Sequence, residues 1–319
     1  MEPKVEIAVV VPCFRVRNSI VEVVQSIGNE VTQIIVVDDA CPENSGKYLE
    51  SISKDKRLTV LYNEVNLGVG GAVKKGYAHA LSMRAHVIVK LDGDGQMDPK
   101  LIKTLINPIL TSSADYVKGN RFYDIEHIKG MPKVRILGNL VLSFLSKFST
   151  GYWRIFDPNN GFTAVSSSAL RKLNLDKIDN RYFFESDILF RLNLARAVVL
   201  DIPMESRYGS EVSNLKIKKV LVEFPFKHAR NFLKRIAYTY YLRDFTLASL
   251  ELPVGLGLTV FGFATGLGNY IHSQSLNQAT PPGTLILISM SVLVGIQLVL
   301  SFFAYDIDSA PTIPIGELA

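Results

Sequence analysis

Val87-Ile88-Val89-Lys90-Leu91-Asp92-Gly93-Asp94-Gly95-Gln96-Met97-Asp98-Pro99 is an apolar run that stops in three carboxylates within seven residues. A short hydrophobic run closed by Asp and Gly reads as a buried strand that delivers acids to the edge of a sheet. Asp92 and Asp94 stand two apart, and on a backbone curled by the intervening glycines both can reach one hard divalent cation. These residues alone equally admit a polar loop after a strand, so the neighbouring segments carry the decision.

Upstream, Val5 to Val11 is an apolar, β-branched run closed by Pro12-Cys13-Phe14. Asn18 to Ile27 has helical periodicity, Val31 to Val37 is a second strand ending in Asp38-Asp39-Ala40-Cys41-Pro42, Gly46 to Ser53 is a helix and Leu58 to Tyr62 a third strand. Alternating strands and helices with short connections predict a mostly parallel sheet covered on both faces. Such sheets bind ligands beyond the carboxyl ends of their strands, where Pro12, Asp38, Asp39 and Asp92 all fall. Asn66-Leu67-Gly68-Val69-Gly70-Gly71-Ala72 is a glycine-rich turn opening a helix, a setting that suits an anion. Taken alone, close packing of helix on sheet is the favoured reading of these glycines, and they do not follow the first strand as a dinucleotide fingerprint requires.

Downstream, Tyr116 to Phe122 is a strand ending in Arg121, and Arg135 and Asn139 lie one helical turn apart. Leu140 to Phe148 is apolar enough to be either core or a lipid-touching surface. Asp157-Pro158-Asn159-Asn160-Gly161-Phe162 is a turn before a strand at Thr163 to Ser166. Phe183 to Leu192 is a helix with its acids at the start, favourable to the dipole; Val198 to Ile202 is a last strand, and Arg207 to Ser213 a polar loop.

The chain has 319 residues, 48% hydrophobic and 20% charged, which excludes a disordered or fibrous protein. Leu252 to Ile271 and Thr284 to Tyr305 contain no charged residue, and each is long enough to cross a hydrocarbon core of ~30 Å as a helix. No signal-peptide pattern is expected at the N-terminus. Lys216 to Arg243 carries eight Lys or Arg, whereas His272 to Gly283 carries none. Basic flanks stay cytoplasmic, so both termini are expected there, in an integral protein of the plasma (inner) membrane. The basic segment accounts for the net charge of +5 and suits an anionic membrane surface, with no nucleic acid as partner. Its apolar spacing predicts two amphipathic helices broken at Pro225 and lying in the interface. No structural disulfide is expected between Cys13 and Cys41 in a reducing compartment. The expected domains are 1–213 catalytic, 214–250 juxtamembrane and 251–319 transmembrane with a short tail.

In this order and spacing, Val10-Val11-Pro12, Val37-Asp38-Asp39, Asn66 to Ala72, Asp92-Gly93-Asp94-Gly95-Gln96, Gly119-Asn120-Arg121-Phe122 and the Asp157 to Phe162 turn resemble the family 2 glycosyltransferases of the GT-A fold. More narrowly, the chain resembles the membrane-attached polyisoprenyl-phosphate glycosyltransferases, which include dolichol-phosphate mannose synthases and bacterial undecaprenyl-phosphate sugar transferases. The resemblance implies an α/β, Rossmann-like domain followed by interfacial and transmembrane helices. It implies that Pro12, Asp38 and Asp39 line the base and ribose pocket, with Asn66, Gly68 and Gly71 also at the nucleotide-sugar donor. Asp92, Asp94 and Gln96 would serve a Mg²⁺ or Mn²⁺ ion and the diphosphate, and Arg121, Arg135 and Asn139 the phosphate of a polyprenyl acceptor. Arg207 and Ser210 match a late loop that closes over the donor. Phe14-Arg15 and Ala40-Cys41 depart from the family pattern near the base, and a processive Gln-x-x-Arg-Trp signature is missing, which disfavours polymer synthesis.

The chemistry of these residue types agrees. A sugar leaving a nucleotide diphosphate builds charge on the β-phosphate, which a divalent ion on Asp94, with Asp92 and Gln96 nearby, would stabilise. A lipid monophosphate is mostly ionised at neutral pH and needs no strong base, although Asp157 is a candidate proton acceptor. A single in-line attack inverts the sugar. The competing readings are transfer to another membrane lipid such as diacylglycerol, and a non-catalytic membrane scaffold; a homo-oligomer is compatible with each.

Overall fold

The computed structural model describes residues 5–123, 133–204 and 217–317, with side chains set aside at 133–135, 217–222 and 317. Two compact units emerge: residues 1–232 with 311–319, and residues 233–310.

The first unit is built on a seven-stranded sheet of order β3-β2-β1-β4-β6-β5-β7. Its strands are β1 (Ile7–Cys13), β2 (Gln33–Asp38), β3 (Leu58–Tyr62), β4 (Val87–Lys90), β5 (Tyr116–Asn120), β6 (Thr163–Ser166) and β7 (Val199–Pro203). All pairings are parallel except those of β6, which runs antiparallel to both β4 and β5. The β-branched runs of β1, β2 and β4 are buried along nearly their whole length, because helices cover both faces. Val9, Val11, Ile34, Val36 and Val89 point to one face, against α1 (Ile20–Gln25) and α4 (Ile102–Leu110). Ala8, Val10, Ile35, Val37 and Ile88 point to the other, against α3 (Val69–Ser82) and the helix at Phe184–Leu194. The parallel pairing of β1 with β2 and β4 brings the carboxyl ends of these strands to one edge, where strand order reverses between β1 and β4.

The remaining helices are α2 (Ser45–Ile52), α5 (Lys133–Thr150), α6 (Ser167–Arg171), α7 (Phe184–Leu194), α8 (Ile217–Ile236), α9 (Leu247–Leu276) and α10 (Pro282–Asp308). Helix α5 buries Ser143, Ser146 and Ser149 and leaves Leu137, Leu140, Val141 and Phe144 exposed, so its apolar residues are largely surface rather than core. The chain after residue 310 returns to the first unit, where the Ile315 amide donates to both Asp115 carboxylate oxygens at 3.0 Å.

The two amphipathic helices expected to break at Pro225 are instead one. Helix α8 runs through the proline to Ile236 and continues as a π-helical turn over Ala237–Arg243. Pro225 removes a single i→i−4 bond, a loss the helix tolerates here while contacts around it hold. Phe224 and His228 both pack edge-on against Phe183, and Lys227 lies 2.7 Å from Asp179.

In the second unit, α9 and α10 are 30 and 27 residues long and apolar enough to cross a membrane. Only 22% and 17% of their most apolar windows is buried, so neither is a core helix of a globular domain. Gly255 and Gly295 let the two helices meet closely, since an added Cβ on Gly255 would lie 2.9 Å from the Gly295 carbonyl oxygen.

Candidate active site

Strand β4 ends in a lysine. Lys90 Nζ is buried and lies 2.7 Å from Asp92 Oδ1, 3.4 Å from Glu185 Oε1 and 3.1 Å from the Gly161 carbonyl. Burial alone would lower the lysine's pKa, but the two carboxylates outweigh it and the net direction is upward. Burial raises that of Glu185, with Lys90 opposing. Past Asp92 the chain turns through Gly95 at φ +80°, a left-handed conformation suited to glycine, and the Gln96 amide donates to Asp94 Oδ1 at 3.0 Å. Asp92, Asp94 and Gln96 are all partly exposed at this turn.

Asp38 and Asp39 are buried at the end of β2 and hold backbone. Asp38 accepts from the amides of Cys41 at 2.7 Å and Gly46 at 2.8 Å, fastening the entry to α2. Asp39 accepts from the amides of Leu67 at 2.9 Å and Gly68 at 2.7 Å and from Asn63 Nδ2 at 2.7 Å, while Asn66 Nδ2 reaches the Asp39 carbonyl. The glycine-rich turn is thus tied to β2 on one side. On the other, the Gly71 amide donates to the Asn180 carbonyl, and a Cβ on Gly70 would sit 2.3 Å from the Asp179 carbonyl oxygen. Gly76 meets Val10 of β1 just as closely. These glycines buy close packing of α3 onto sheet and loop. Pro12 sits half-buried at the end of β1, in register with Val37.

A second charged group lies at the end of β5. Arg121 grips Asp157 with two bonds, Nε–Oδ2 at 2.7 Å and Nη2–Oδ1 at 2.6 Å, and Asn160 Nδ2 approaches the same carboxylate at 3.3 Å. Burial would raise the Asp157 pKa, but the Arg121 hydrogen bonds and charge dominate and lower it. Lys118 is buried beneath, donating to the carbonyls of Phe156 and Asp157, and burial lowers its pKa. Asp201 beside it accepts from the Phe156 amide and is pushed up to about 6 by burial. The 157–161 turn joins the two groups: Asp157 at one end meets Arg121, and Gly161 at the other touches Lys90 and Asp92.

Arg135 falls on α5, its side chain outside the described residues; Asn139 is half-buried one turn later. Arg207 and Ser210 lie outside the described residues. Sequence reasoning missed Lys90, Glu185 and the Asp179–Asn180 loop. The signal for Lys90 was present: a lysine at the end of an otherwise apolar buried strand needs anionic partners. Glu185 was read only as a helix-dipole residue.

A divalent cation here would meet hard oxygen donors, which suits Mg²⁺ or Mn²⁺. Among the described residues no three His, Cys, Asp or Glu gather into a complete cage.

Among solved structures, the chain is similar to glucosyl-3-phosphoglycerate synthase from Mycobacterium tuberculosis, in complex with Mg²⁺ and uridine diphosphate, with a TM-score of 0.53 at 18% identity, covering 72% of this chain and 79% of that one. The fold is therefore GT-A, with the acidic turn following β4. Residues 8–174, just over half the chain, match the glycosyl transferase family 2, and the protein belongs to that family: it is a glycosyltransferase. It is 29% identical over 232 residues to a UDP-N-acetylglucosamine–dolichyl-phosphate N-acetylglucosaminyltransferase of Methanococcus voltae, covering 68% of this chain and 92% of that one. It is also 27% identical over 175 residues to an undecaprenyl-phosphate mannosyltransferase of Micrococcus luteus, covering 54% and 71% respectively.

Proposed function

We propose that the protein transfers a single sugar from a nucleotide-diphosphate sugar to a polyprenyl phosphate at the cytoplasmic face of the membrane, with inversion. The observation that carries this is the pairing of an acidic, partly exposed turn with an arginine group through one five-residue turn, 157–161, in a chain that continues into two helices long enough to span a bilayer.

In the reaction, an oxygen of the acceptor phosphate attacks C1 of the sugar while the C1–O bond to the β-phosphate breaks and the nucleoside diphosphate leaves. Asp94 and Gln96, with Asp92, would hold Mg²⁺ or Mn²⁺, which supplies charge stabilisation for the leaving diphosphate. Asp39 and the turn it fastens would border the donor, and Arg121, Arg135 and Asn139 the acceptor phosphate. Asp157 has its carboxylate committed to Arg121 and a lowered pKa, so it orients the arginine better than it accepts a proton. An acceptor phosphate, with a second pKa of about 6, needs no such base at neutral pH. The eight Lys and Arg between Lys216 and Arg243 support the cytoplasmic orientation.

The test is purified protein in detergent with polyprenyl phosphate, Mg²⁺ or Mn²⁺ and a panel of labelled nucleotide sugars. Label entering the organic phase with one donor is the expected result, abolished by chelator; no lipid product from any donor overturns the reading.

A further inference from the structure

Lys90 has no part in the chemistry above, yet three elements converge on it. Its side chain is 1% exposed, its ammonium lies 2.7 Å from Asp92 Oδ1, and Glu185 Oε1 and the Gly161 carbonyl approach at 3.4 and 3.1 Å from α7 and the 157–161 turn. Gly161 closes the arrangement, because a Cβ there would come 2.4 Å from Lys90 Nζ and 2.6 Å from Asp92 Oδ2. The lysine therefore has little room to swing aside. Asp92 is clamped between an ammonium and a backbone turn.

We propose that Lys90 is the resident counter-ion of the acidic turn, a positioning residue that keeps a divalent cation from binding stably until the donor's diphosphate arrives with it. Lys90 already neutralises Asp92, and a second cation at the turn must share carboxylates with a fixed positive charge in a partly desolvated place, where repulsion is strong. A diphosphate brings several negative charges of its own and reverses the balance. Metal and donor then enter as a unit, and the acidic turn stays ordered between turnovers without holding a metal.

This inference rests on the metal-assisted reading above, and the experiment separates the two. Free Mn²⁺ is followed by its electron paramagnetic resonance signal as purified protein is titrated, with Mn²⁺ alone and with UDP or GDP added. Wild type is expected to bind Mn²⁺ at least tenfold more weakly alone than with the productive nucleotide. Lys90→Met is expected to tighten Mn²⁺ binding without nucleotide by tenfold or more and to lose most of the nucleotide dependence. Lys90→Met leaves two carboxylates uncompensated, so Lys90→Met/Glu185→Gln is measured beside it. That pair removes one charge of each sign, a change buried ion pairs commonly tolerate; it still frees Asp92 of its ammonium, so tightening in the same direction is expected, smaller than in Lys90→Met alone. A merely structural lysine would weaken or leave unchanged the metal affinity. Wild type that binds Mn²⁺ equally well without nucleotide, or a folded double variant whose Mn²⁺ affinity alone stays within threefold of wild type, overturns the inference. Wild type that binds no Mn²⁺ even with nucleotide and transfers no sugar overturns the metal-assisted reading itself.

Discussion

Arg121 and Asp157, 36 residues apart in the chain, meet in a two-bonded fork at the end of β5, with Asp157 1% exposed and in a left-handed conformation at φ 51°. Removing one member strands the other. Asp157→Ala is expected to cost about 3–5 kcal/mol of stability, the usual consequence of breaking a buried pair from one side. The Asp157 pKa is depressed by folding, so its contribution is complete above the ordinary carboxylate value and is lost as pH falls through the lower folded value. Thermal unfolding in detergent from neutral to strongly acidic pH should show a shallower acid limb in Asp157→Asn than in wild type; identical limbs would contradict the pairing.

Gly70 and Gly138 provide a matched contrast. A side chain at Gly70 runs into the Asp179 carbonyl at 2.3 Å and Phe184 Cβ at 2.9 Å, and backbone cannot rotate away. Gly70→Ala should cost about 1–3 kcal/mol through overpacking, and should weaken nucleotide binding by shifting the turn that Asp39 holds. Gly138, on α5 with open space around it, should accept alanine and gain up to about 1 kcal/mol from helix propensity. Melting temperatures and nucleotide titration of the two variants check both expectations together.

His228 of α8 lies against Phe183 and Phe224, hydrogen-bonded to Ser149 at 2.7 Å, and burial lowers its pKa to about 4. The unfolded chain takes up a proton near pH 6.5 while the folded one resists until about 4, so stability falls as pH drops through that window. At its lower end the loss attributable to this residue approaches ~3 kcal/mol. Unfolding of wild type between pH 7 and 4 should be steeper in pH than that of His228→Gln, and equal slopes would show that folding does not lower the His228 pKa.

Arg235 and Asp306 form a buried ion pair in the second unit, Nη1–Oδ1 at 2.6 Å and Nη2–Oδ2 at 2.9 Å, with the Tyr240 hydroxyl donating to Asp306 at 2.7 Å. The pair ties the last turn of α8 to the end of α10, and Tyr240 does the same for the π-helical turn. Arg235→Ala should lose about 3–5 kcal/mol, whereas Arg235→Met/Asp306→Leu should return most of it. A double variant no more stable than the single one would mean that the pair itself, rather than the stranded charge, carries the stability.

Asp94→Asn keeps the size of the side chain and removes the charge a divalent ion requires. A loss of sugar transfer of at least a hundredfold is expected, on the scale of removing one electrostatic stabiliser of a developing charge. Donor turnover within tenfold of wild type would remove Asp94 from that role.

The strand and helix alternation of residues 7–90 was legible because it is written in local periods, two for strands and 3.6 for helices. The two long apolar helices were legible because lipid demands length and absence of charge. The antiparallel insertion of β6 was not, since nothing in Thr163–Ser166 records which neighbour it pairs with. The continuity of α8 through Pro225 was misread for a related reason: proline disfavours helix locally, and the packing of Phe224, Lys227 and His228 against the Asp179–Phe183 segment overrides it.

By itself the sequence determined the class of fold, the family and the acidic turn at Asp92 to Gln96, because motif order and hydrophobic period are properties of a chain read along its length. Tertiary structure alone decided what those acids face. Asp39 holds the glycine turn, Asp157 holds Arg121, and Asp92 lies against Lys90, whose other carboxylate partner, Glu185, stands 95 residues further along the chain. Charge pairing acts through space over a few ångströms, and chain separation carries no record of it until the sheet has closed.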